Sequence, residues 1–233
     1  MATIGIIPAR GGSKRLPRKN ILKLAGKELI GYTIEASLGA CDRTFVTTES
    51  EVIADVARSF GAEVLKRPIG LAMDGCETDE VYLFTVRQLL AEERISREDV
   101  LVALAPTSPL RTAEHIRGAL VTFSLLDAWT TVMSGYRDPY YHWKQDVLSG
   151  FLRPVVGLPS TVERRGKQEY PSEAWPIVQN GAVDICSVEK FLKEKRMSVD
   201  PIALYEMPYK DSIDIDDEAD LAYAEYLMSN SND

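Results

Sequence analysis

The sequence predicts an α/β protein built in three layers, with helices on both faces of a mainly parallel sheet. Short apolar runs alternate with amphipathic stretches through the first half of the chain, as in repeated βα units. A chain of 233 residues is long enough for one sizeable domain of this kind. The alternation stops at about 137–180, where aromatic residues, prolines and charges show no helical period. We therefore predict a single domain at 1–233 that carries an insertion at about 137–180.

Short apolar runs predict the strands of the first half, at 3–8, 44–47, 63–66, 100–104 and 130–133. A helix is expected at 30–38, and three more follow from apolar residues that repeat at helical spacing. Those three helical faces comprise Ile53, Val56, Ala57 and Phe60; Tyr82, Val86, Leu89 and Leu90; and Ile116, Ala119, Leu120 and Phe123. A strand at 181–187 and a closing helix with Leu221, Ala224 and Met228 complete the prediction.

Two of the predicted helices are preceded by side chains that can cap them. Thr48 and Glu51 have the spacing of a capping box, in which both side chains accept hydrogen bonds from free backbone N–H groups. Thr112 is placed to cap a helix that would contain His115 in its first turn. Neither His115 nor His142 has the spaced partners of a metal site, so we expect structural roles for both.

The formal net charge of −8 argues against a nucleic-acid partner and against binding to a membrane, because both surfaces would repel the chain. No apolar run is long enough to span a bilayer, and the first residues lack the pattern of a signal peptide. The odd number and wide spacing of Cys41, Cys76 and Cys186 favour free thiols over disulfides or a zinc site. We expect a cytoplasmic protein.

The segment at 6–20 reads IIPARGGSKRLPRKN and places a basic, glycine-containing loop directly after the first strand. Gly11 and Gly12 allow backbone N–H groups to approach an anion. Positive charge comes from Arg10, Lys14, Arg15, Arg18 and Lys19. Ligands of α/β sheets bind at the carboxyl ends of strands, and the segment has neither a Rossmann nor a Walker A pattern. We interpret it as a polyphosphate site; the alternative is a solvated basic turn.

Near the end of the chain, Asp214 and Asp216 lie two residues apart in an acidic stretch. On an extended segment both carboxylates face the same way and can share a hard cation such as Mg²⁺. The alternative is an acidic helix N-terminus, stabilised by the helix dipole.

These segments resemble the acylneuraminate cytidylyltransferases, the enzymes that make CMP-sialic acid and its bacterial relatives. Segment 6–20 resembles the N-terminal signature of that family, and 67–74 resembles R-P-x-x-L-A-x-D. Segment 105–111 resembles Q-P-T-S-P-L-R, 180–182 resembles N-G-A, and 212–216 resembles S-I-D-I-D. The resemblance spans nearly the whole chain. It implies a nucleotidyltransferase fold, an insertion that mediates dimerisation, and therefore a homodimer.

The resemblance also implies a reaction and the residues that perform it. In the family, a sugar hydroxyl attacks the α-phosphorus of CTP in line and pyrophosphate leaves, so the implied substrates are CTP and an ulosonic acid. Catalytic roles are implied for Arg10, Lys19, Asp214 and Asp216, with Mg²⁺ or Mn²⁺ held by the two aspartates. The implied nucleotide-binding residues are Ala9, Arg10, Gly11, Ser13, Lys19, Asn20, Arg67 and Thr78.

For the sugar, the resemblance implies contacts from Ala105, Lys144, Lys167, Asn180 and Asp184. Three of these depart from the family, which has Gln at Ala105, Arg at Lys167 and Tyr at Asp184. Arg164 and Arg165 are alternatives to Lys167 for the sugar carboxylate. The departures predict a preferred sugar other than N-acetylneuraminic acid, with a hydroxyl or amine near Asp184.

Two other functions remain open at this point. One is a nucleotidyltransferase of the same fold that uses another sugar or base, and the other is a non-catalytic nucleotide-binding module. Paired carboxylates at Asp214 and Asp216 argue against the module, which would not need them. The aromatic residues Tyr140, Tyr141 and Trp143 are equally compatible with a dimer core and with a sugar pocket.

Overall fold

The computed structural model describes residues 1–138, 143–145, 152–154 and 175–230. The strands are β1 (Thr3–Pro8), β2 (Lys23–Leu24), β3 (Lys27–Glu28), β4 (Arg43–Thr48), β5 (Glu63–Lys66), β6 (Val100–Ala103), β7 (Thr131–Arg137), β8 (Trp143–Gln145), β9 (Leu152–Pro154), β10 (Ile177–Ser187) and β11 (Ile202–Glu206). The helices are α1 (Leu29–Leu38), α2 (Glu51–Ser59), α3 (Thr78–Ala91), α4 (Ala113–Ser124), α5 (Val188–Glu194) and α6 (Glu218–Ser229).

A seven-stranded sheet forms the centre of the molecule, in the order β11-β7-β10-β6-β1-β4-β5. Strands β1, β4, β5 and β6 pair in parallel, and so do β7 and β11, whereas β10 is antiparallel to both of its neighbours. The two short pairs β2-β3 and β8-β9 are separate antiparallel ribbons. The predicted α/β fold with a mainly parallel sheet is confirmed.

Apolar side chains on the two faces of the sheet pack against different helices, which gives the three layers. On β1, alternate residues point to opposite faces: Ile7 packs with α1, α2 and α4, while Ile4 and Ile6 pack with α3 and α5. A smaller cluster joins α6 to the β2-β3 ribbon through buried Leu24 and Ala224. None of the helices in the described residues is both long and apolar enough to cross a membrane.

One predicted helix cap is wrong. The side chain that caps α2 is Ser50, whose hydroxyl accepts from the N–H of Ile53. Thr48 is still the last residue of β4, where it pairs with Lys66 of β5, so it lies too early to cap the helix. The prediction for α4 is confirmed, because Thr112 and His115 form a reciprocal capping box at its start.

The two ends of the predicted insertion at 137–180 meet at one point of the sheet. Ile177, the first residue of β10, lies opposite Arg137, the last residue of β7. The chain thus leaves the sheet from β7 and returns beside it. Of the residues between, the structure describes the backbone pairing of β8 with β9, in which Lys144 lies opposite Arg153, and a hydrogen bond from the N–H of Asp138 to the carbonyl of Pro176 (2.9 Å).

Candidate active site

A cavity of about 780 Å³ lies at the carboxyl ends of β1 and β6. Strand β1 has β4 on one side and β6 on the other, so this is a point where the strand order changes direction, and α/β sheets bind ligands there. Pro8, the last residue of β1, and Arg10 line the cavity. Ala103, the last residue of β6, and Ala105 also line it. Asp184 of β10 lines it as well.

The basic loop that follows β1 is anchored to the next loop of the sheet. The N–H of Ala9 donates to the carbonyl of Thr47 (3.0 Å), and the Ala9 side chain is buried. The N–H of Gly11 donates to Glu49 Oε1 (2.6 Å), and a Cβ at Gly11 would lie 3.2 Å from Ser50 Cβ. Gly11 therefore allows a close approach of two loops, and its N–H contacts the protein instead of facing an anion.

Asn20 closes the same loop from its far end. Its Nδ2 donates to the carbonyl of Arg10 (2.9 Å), which fixes the backbone of the loop. Its Oδ1 is buried without a hydrogen-bond partner in the part of the chain that is described. Both Asn20 and Ser13 line the cavity.

Four cations of the loop face the cavity, and each is paired with a carboxylate. Arg10 Nη1 and Lys14 Nζ contact Asp74, at 3.2 Å and 2.7 Å. Lys19 Nζ and Arg15 Nη2 contact Asp216, at 2.9 Å and 2.8 Å. Lys19 is the least exposed of the four cations, with 15% of its side chain accessible. The predicted site residues Arg10 and Lys19 therefore line the same cavity, and each pairs with a different carboxylate.

Arg67 lies behind these cations and is almost fully buried. Its guanidinium donates to Glu49 Oε2 from Nε (3.2 Å) and Nη2 (3.1 Å). Burial lowers the pKa of Arg67, and the charge of Glu49 opposes that change. Since the other Glu49 oxygen holds Gly11, Arg67 supports the loop in addition to lining the cavity.

Asp214 and Asp216 lie on the segment that leads into α6. Between them Ile215 is buried, and its N–H donates to the carbonyl of Thr107 (2.8 Å). Asp216 lines the first cavity, Asp214 lines a second one, and Gly181 lines both. Burial raises the pKa of Asp214, a hydrogen bond with Thr107 lowers it, and the Asp216 charge raises it further. Partial burial raises the pKa of Asp216, but Lys19 and Arg15 lower it overall.

The helix that follows has its own acidic cap. Asp217 is the N-cap of α6 and accepts from the N–H groups of Ala219 and Asp220, while Asp220 accepts from the N–H of Asp217. Asp214 and Asp216 therefore precede the helix, and capping does not account for them.

The aspartate pair fits a hard divalent cation. Two neighbouring carboxylates raise the local negative charge, and oxygen ligands of this type suit Mg²⁺ or Mn²⁺. Within the described ranges, no group of three or more His, Cys, Asp or Glu side chains is arranged to hold a metal. Magnesium commonly uses only one or two protein carboxylates when substrate phosphates complete its coordination.

Two further carboxylates that belong to neither the basic loop nor its ion pairs line the cavity. Asp184 of β10 and Asp79, in the first turn of α3, both line it, together with Tyr82. Burial raises the pKa of Asp184 to about 6, a hydrogen bond from Gln179 opposes the change, and the charge of Asp79 adds to it. Ala105 leaves this part of the cavity open, because its side chain is a single methyl group.

Asn180, which we expected to contact the sugar, sits in a buried network. Its Nδ2 donates to Ser212 Oγ (2.9 Å), and its Oδ1 accepts from Ser134 Oγ (2.6 Å) and from the N–H of Ala182 (3.1 Å). These bonds tie β10 to the segment that carries Asp214. The side chain lines a second cavity of about 540 Å³, which Asp214 also lines.

Of the other predicted contacts, Thr78 lines the first cavity at the start of α3. Lys144 lies on β8, where only the backbone is described. The predictions for Lys167 and its alternatives Arg164 and Arg165, and for His142, lie outside the described residues.

Sequence reasoning missed several residues that shape the site. Glu49 and Asp79 belong to no quoted segment, and Asp74 was part of one without a role. Arg111 was also quoted only as part of a segment; it is buried and donates to the carbonyls of Ala105 (3.2 Å) and Ala182 (2.9 Å). The position of Glu49 directly after β4 was an available signal, because residues there reach the same edge of the sheet.

The three-layer fold, the basic loop after β1 and the paired aspartates define a nucleotidyltransferase-type protein. The sequence profile of the family described as "Cytidylyltransferase" matches residues 4–137. The chain belongs to this cytidylyltransferase family.

Two relatives illustrate the range of the similarity. The chain is 33% identical over 237 residues to the CMP-N,N'-diacetyllegionaminic acid synthase of Legionella pneumophila, covering 98% of this chain and 97% of the relative. It is 32% identical over 234 residues to the N-acylneuraminate cytidylyltransferase of Escherichia coli, covering 98% of this chain and 52% of the relative. The chain thus spans about half the length of the N-acylneuraminate cytidylyltransferases that it matches.

Solved structures support the fold. A CMP:2-keto-3-deoxy-manno-octonic acid synthetase complexed with CTP superposes with a TM-score of 0.68 at 15% identity, covering 99% of this chain and 100% of the other. The 4-diphosphocytidyl-2C-methyl-D-erythritol synthase of Anaerococcus prevotii gives a TM-score of 0.68 at 9% identity, with 98% of both chains covered.

Proposed function

We propose that this protein transfers CMP from CTP to a sialic-acid-type 2-keto-3-deoxy sugar acid and releases pyrophosphate. The observation that carries the proposal is one cavity lined by Arg10, Lys19 and Asp216, with Lys19 Nζ 2.9 Å from Asp216 Oδ1. The two relatives with named CMP-sugar or acylneuraminate activities support the same chemistry. We propose that it acts in the cytoplasm and as a homodimer, as the family resemblance implies.

In this reaction the anomeric hydroxyl oxygen of the sugar forms a bond to the α-phosphorus of CTP. The bond from that phosphorus to the bridging oxygen breaks, its electron pair leaves with pyrophosphate, and the hydroxyl proton passes to solvent or a nearby carboxylate. No covalent intermediate on the protein is needed, so the task of the residues is to position two anions and to stabilise developing charge.

We assign the phosphate contacts to Arg10, Lys19 and Ser13, with the nucleoside held near Asn20, Arg67 and Thr78. The triphosphate would take Arg10 from its contact with Asp74, since both anions compete for the same guanidinium. Asp214 and Asp216 would hold Mg²⁺ or Mn²⁺, which when bound neutralises charge on the phosphoryl oxygens. Lys19 would then lie between Asp216 and the transferring phosphate.

For the sugar, we assign contacts to Ala105 and Asp184 in the cavity, and to Lys144 and Lys167. Asn180 would act on the same site through the backbone of β10, because its own polar atoms are already engaged. A carboxylate on the sugar requires a cation, and Arg164 and Arg165 stay alternatives to Lys167 for that role.

The test is pyrophosphate release with CTP and a panel of sialic, legionaminic, pseudaminic and shorter ulosonic acids. We expect turnover with at least one acid, a CMP-linked product, and much weaker turnover with ATP, GTP or UTP. Turnover that prefers another nucleotide would identify a same-fold enzyme for a different base. Tight CTP binding without product for any acid would identify a binding module.

A further inference from the structure

Two groups of charged side chains line the cavity. One group comprises the loop cations Arg10, Lys14, Arg15 and Lys19, together with the carboxylates Asp74 and Asp216 that pair with them. The other comprises two carboxylates, Asp79 from α3 and Asp184 from β10. A ligand that fills this cavity therefore meets paired cations in one part and carboxylates in another.

Asp184 is a half-buried carboxylate on the cavity wall. Its hydrogen bonds come from Gln179 Nε2, at 3.4 Å to Oδ1 and 3.3 Å to Oδ2, which are long for such bonds. Among the described residues, no lysine, arginine or histidine lies within ion-pair distance of it. A carboxylate that is partly removed from water is stabilised by a cation, and a ligand in the cavity can supply one to Asp184.

The surroundings of Asp184 strengthen this conclusion. Asp79 Oδ1 accepts from the N–H of Met197 (3.1 Å), which fixes the second carboxylate on the cavity wall. The walls beside it are formed by the side chains of Val81, Tyr82 and Met197. Electrostatic interactions are stronger beside such side chains than in bulk water, so a cation placed here would be bound favourably.

Resting on the function proposed above, we infer that the acceptor sugar acid carries a cationic hydrogen-bond donor, a free amine or an amidine, that lies against Asp184 with Asp79 nearby. The sugar carboxylate cannot occupy this end, because two like charges already face it. The substrate is thereby oriented with its carboxylate toward the cations and its amino substituent toward Asp184.

Other substituents satisfy this end less well. An acetamido group has one N–H donor, and its carbonyl oxygen would face a carboxylate without a donor to accept from. A hydroxyl provides one donor and no charge. A site that provides charged acceptors discriminates against groups that leave those acceptors unpaired.

The experiment uses sugar acids that are identical except for one substituent, which is acetamido, hydroxyl or free amine, with the substituted carbon varied across the panel. The kcat/KM for CMP-sugar formation is measured for the wild type, for Asp184→Asn and for Asp55→Asn. Asp184→Asn removes the charge and keeps the shape. Asp55→Asn makes the same chemical change on the exposed face of α2, where Asp55 pairs with Arg58. Equilibrium binding of the free sugars in the presence of CMP is measured alongside.

We expect the wild type and Asp55→Asn to prefer the amine over the acetamido analogue by about tenfold or more at one position, and Asp184→Asn to lose that preference. A wild type that does not prefer the amine, or an unchanged preference in Asp184→Asn, would overturn the inference while the proposed function stands. If no sugar yields a CMP product, the proposed function fails, and the inference is decided by whether wild-type binding favours the amine and Asp184→Asn binding does not.

Discussion

At the scale of single residues, the cations of the basic loop are already engaged before any nucleotide binds. Asp74 holds Arg10 and Lys14, and Asp216 holds Lys19 and Arg15. A phosphate oxygen that binds one of these cations would compete with its carboxylate. Nucleotide binding would therefore replace the carboxylate partners of these cations by phosphate oxygens. The ion pairs that are lost are largely exposed and contribute little to the stability of the fold.

Arg10→Ala and Lys19→Ala should each reduce kcat/KM by about a hundredfold or more, as loss of an electrostatic stabiliser does in other enzymes. Both side chains face the cavity, so the fold should survive, and circular dichroism checks this. Arg58→Ala, which removes a paired cation from the exposed face of α2, is the matched control and should leave turnover unchanged. Near-normal turnover of a folded Arg10→Ala protein would disprove the phosphate assignment.

Turnover should also require a divalent cation, and Asp216→Asn should weaken that response. Replacing one carboxylate oxygen by an amide nitrogen removes a charged ligand with almost no change in shape. The measurement is the Mg²⁺ concentration for half-maximal rate, in chelator-treated wild type, Asp214→Asn and Asp216→Asn. Full activity of chelator-treated protein without added metal would remove the metal role from both aspartates.

At the scale of elements, β10 determines how the acidic side of the cavity is built. It runs antiparallel between β6 and β7, and its register shifts between Gln179 and Asp184. Gly181 lies inside this irregularity with φ +64°, a conformation that side chains rarely adopt. The irregularity lets Asn180 join the buried network while Asp184 lines the cavity.

Gly181→Ala should therefore lower the free energy of unfolding by about 1–2 kcal/mol, the cost of a left-handed conformation for a residue with a Cβ. Space is not the cause, because a Cβ there would meet no atom within 4 Å. Gly181→Asn is the matched variant, and it should cost less because Asn tolerates this conformation better. Urea unfolding measures both. Equal loss of unfolding free energy in the two variants would show that the positive φ of Gly181 is not the cause.

The spacing of apolar residues predicted much of the fold, because the burial and length of a strand depend mainly on residues that are close in sequence. Predicted strands 3–8 and 63–66 agree with β1 and β5. Strand β11 and helix α5 were not predicted, although 202–205 is a short apolar run; the residues of β11 are exposed or half-buried. The contact of Asp79 with Met197 joins residues 118 positions apart, and no local pattern encodes such a pair.

The site was predicted unevenly for the same reason. Arg10, Lys19 and Asp216 come from short segments that resemble a family, and the structure brings all three to one cavity. The use of the Gly11 N–H by Glu49 and the buried network of Asn180 depend on side chains from distant elements. Their chemical roles stay proposals that the experiments above address.

At the scale of the whole molecule, the acidic side of the cavity should lower stability in favour of ligand binding. An aspartate in an unfolded chain has a pKa of about 3.9, whereas burial raises that of Asp184 to about 6 in the folded protein. Among the described residues, the groups around it include Asp79 and Tyr82 from α3 and Gln179 and Cys186 from its own strand, and no ion pair joins it to a cation. The folded protein therefore binds the Asp184 proton more tightly than the unfolded chain does.

Asp184→Asn should consequently stabilise the ligand-free protein at neutral pH and do so less in acid. Because the folded pKa is raised, the wild type loses stability as pH rises from about 4 through about 6, and the full penalty is present above that range. Since Asn cannot ionise, the variant should gain about 1–3 kcal/mol near pH 7.5 and much less near pH 4.5. Urea unfolding at both pH values, with Asp55→Asn as the control for an exposed carboxylate, measures the difference. A gain that is the same at both pH values would mean that packing, and not an unpaired charge, makes Asp184 costly.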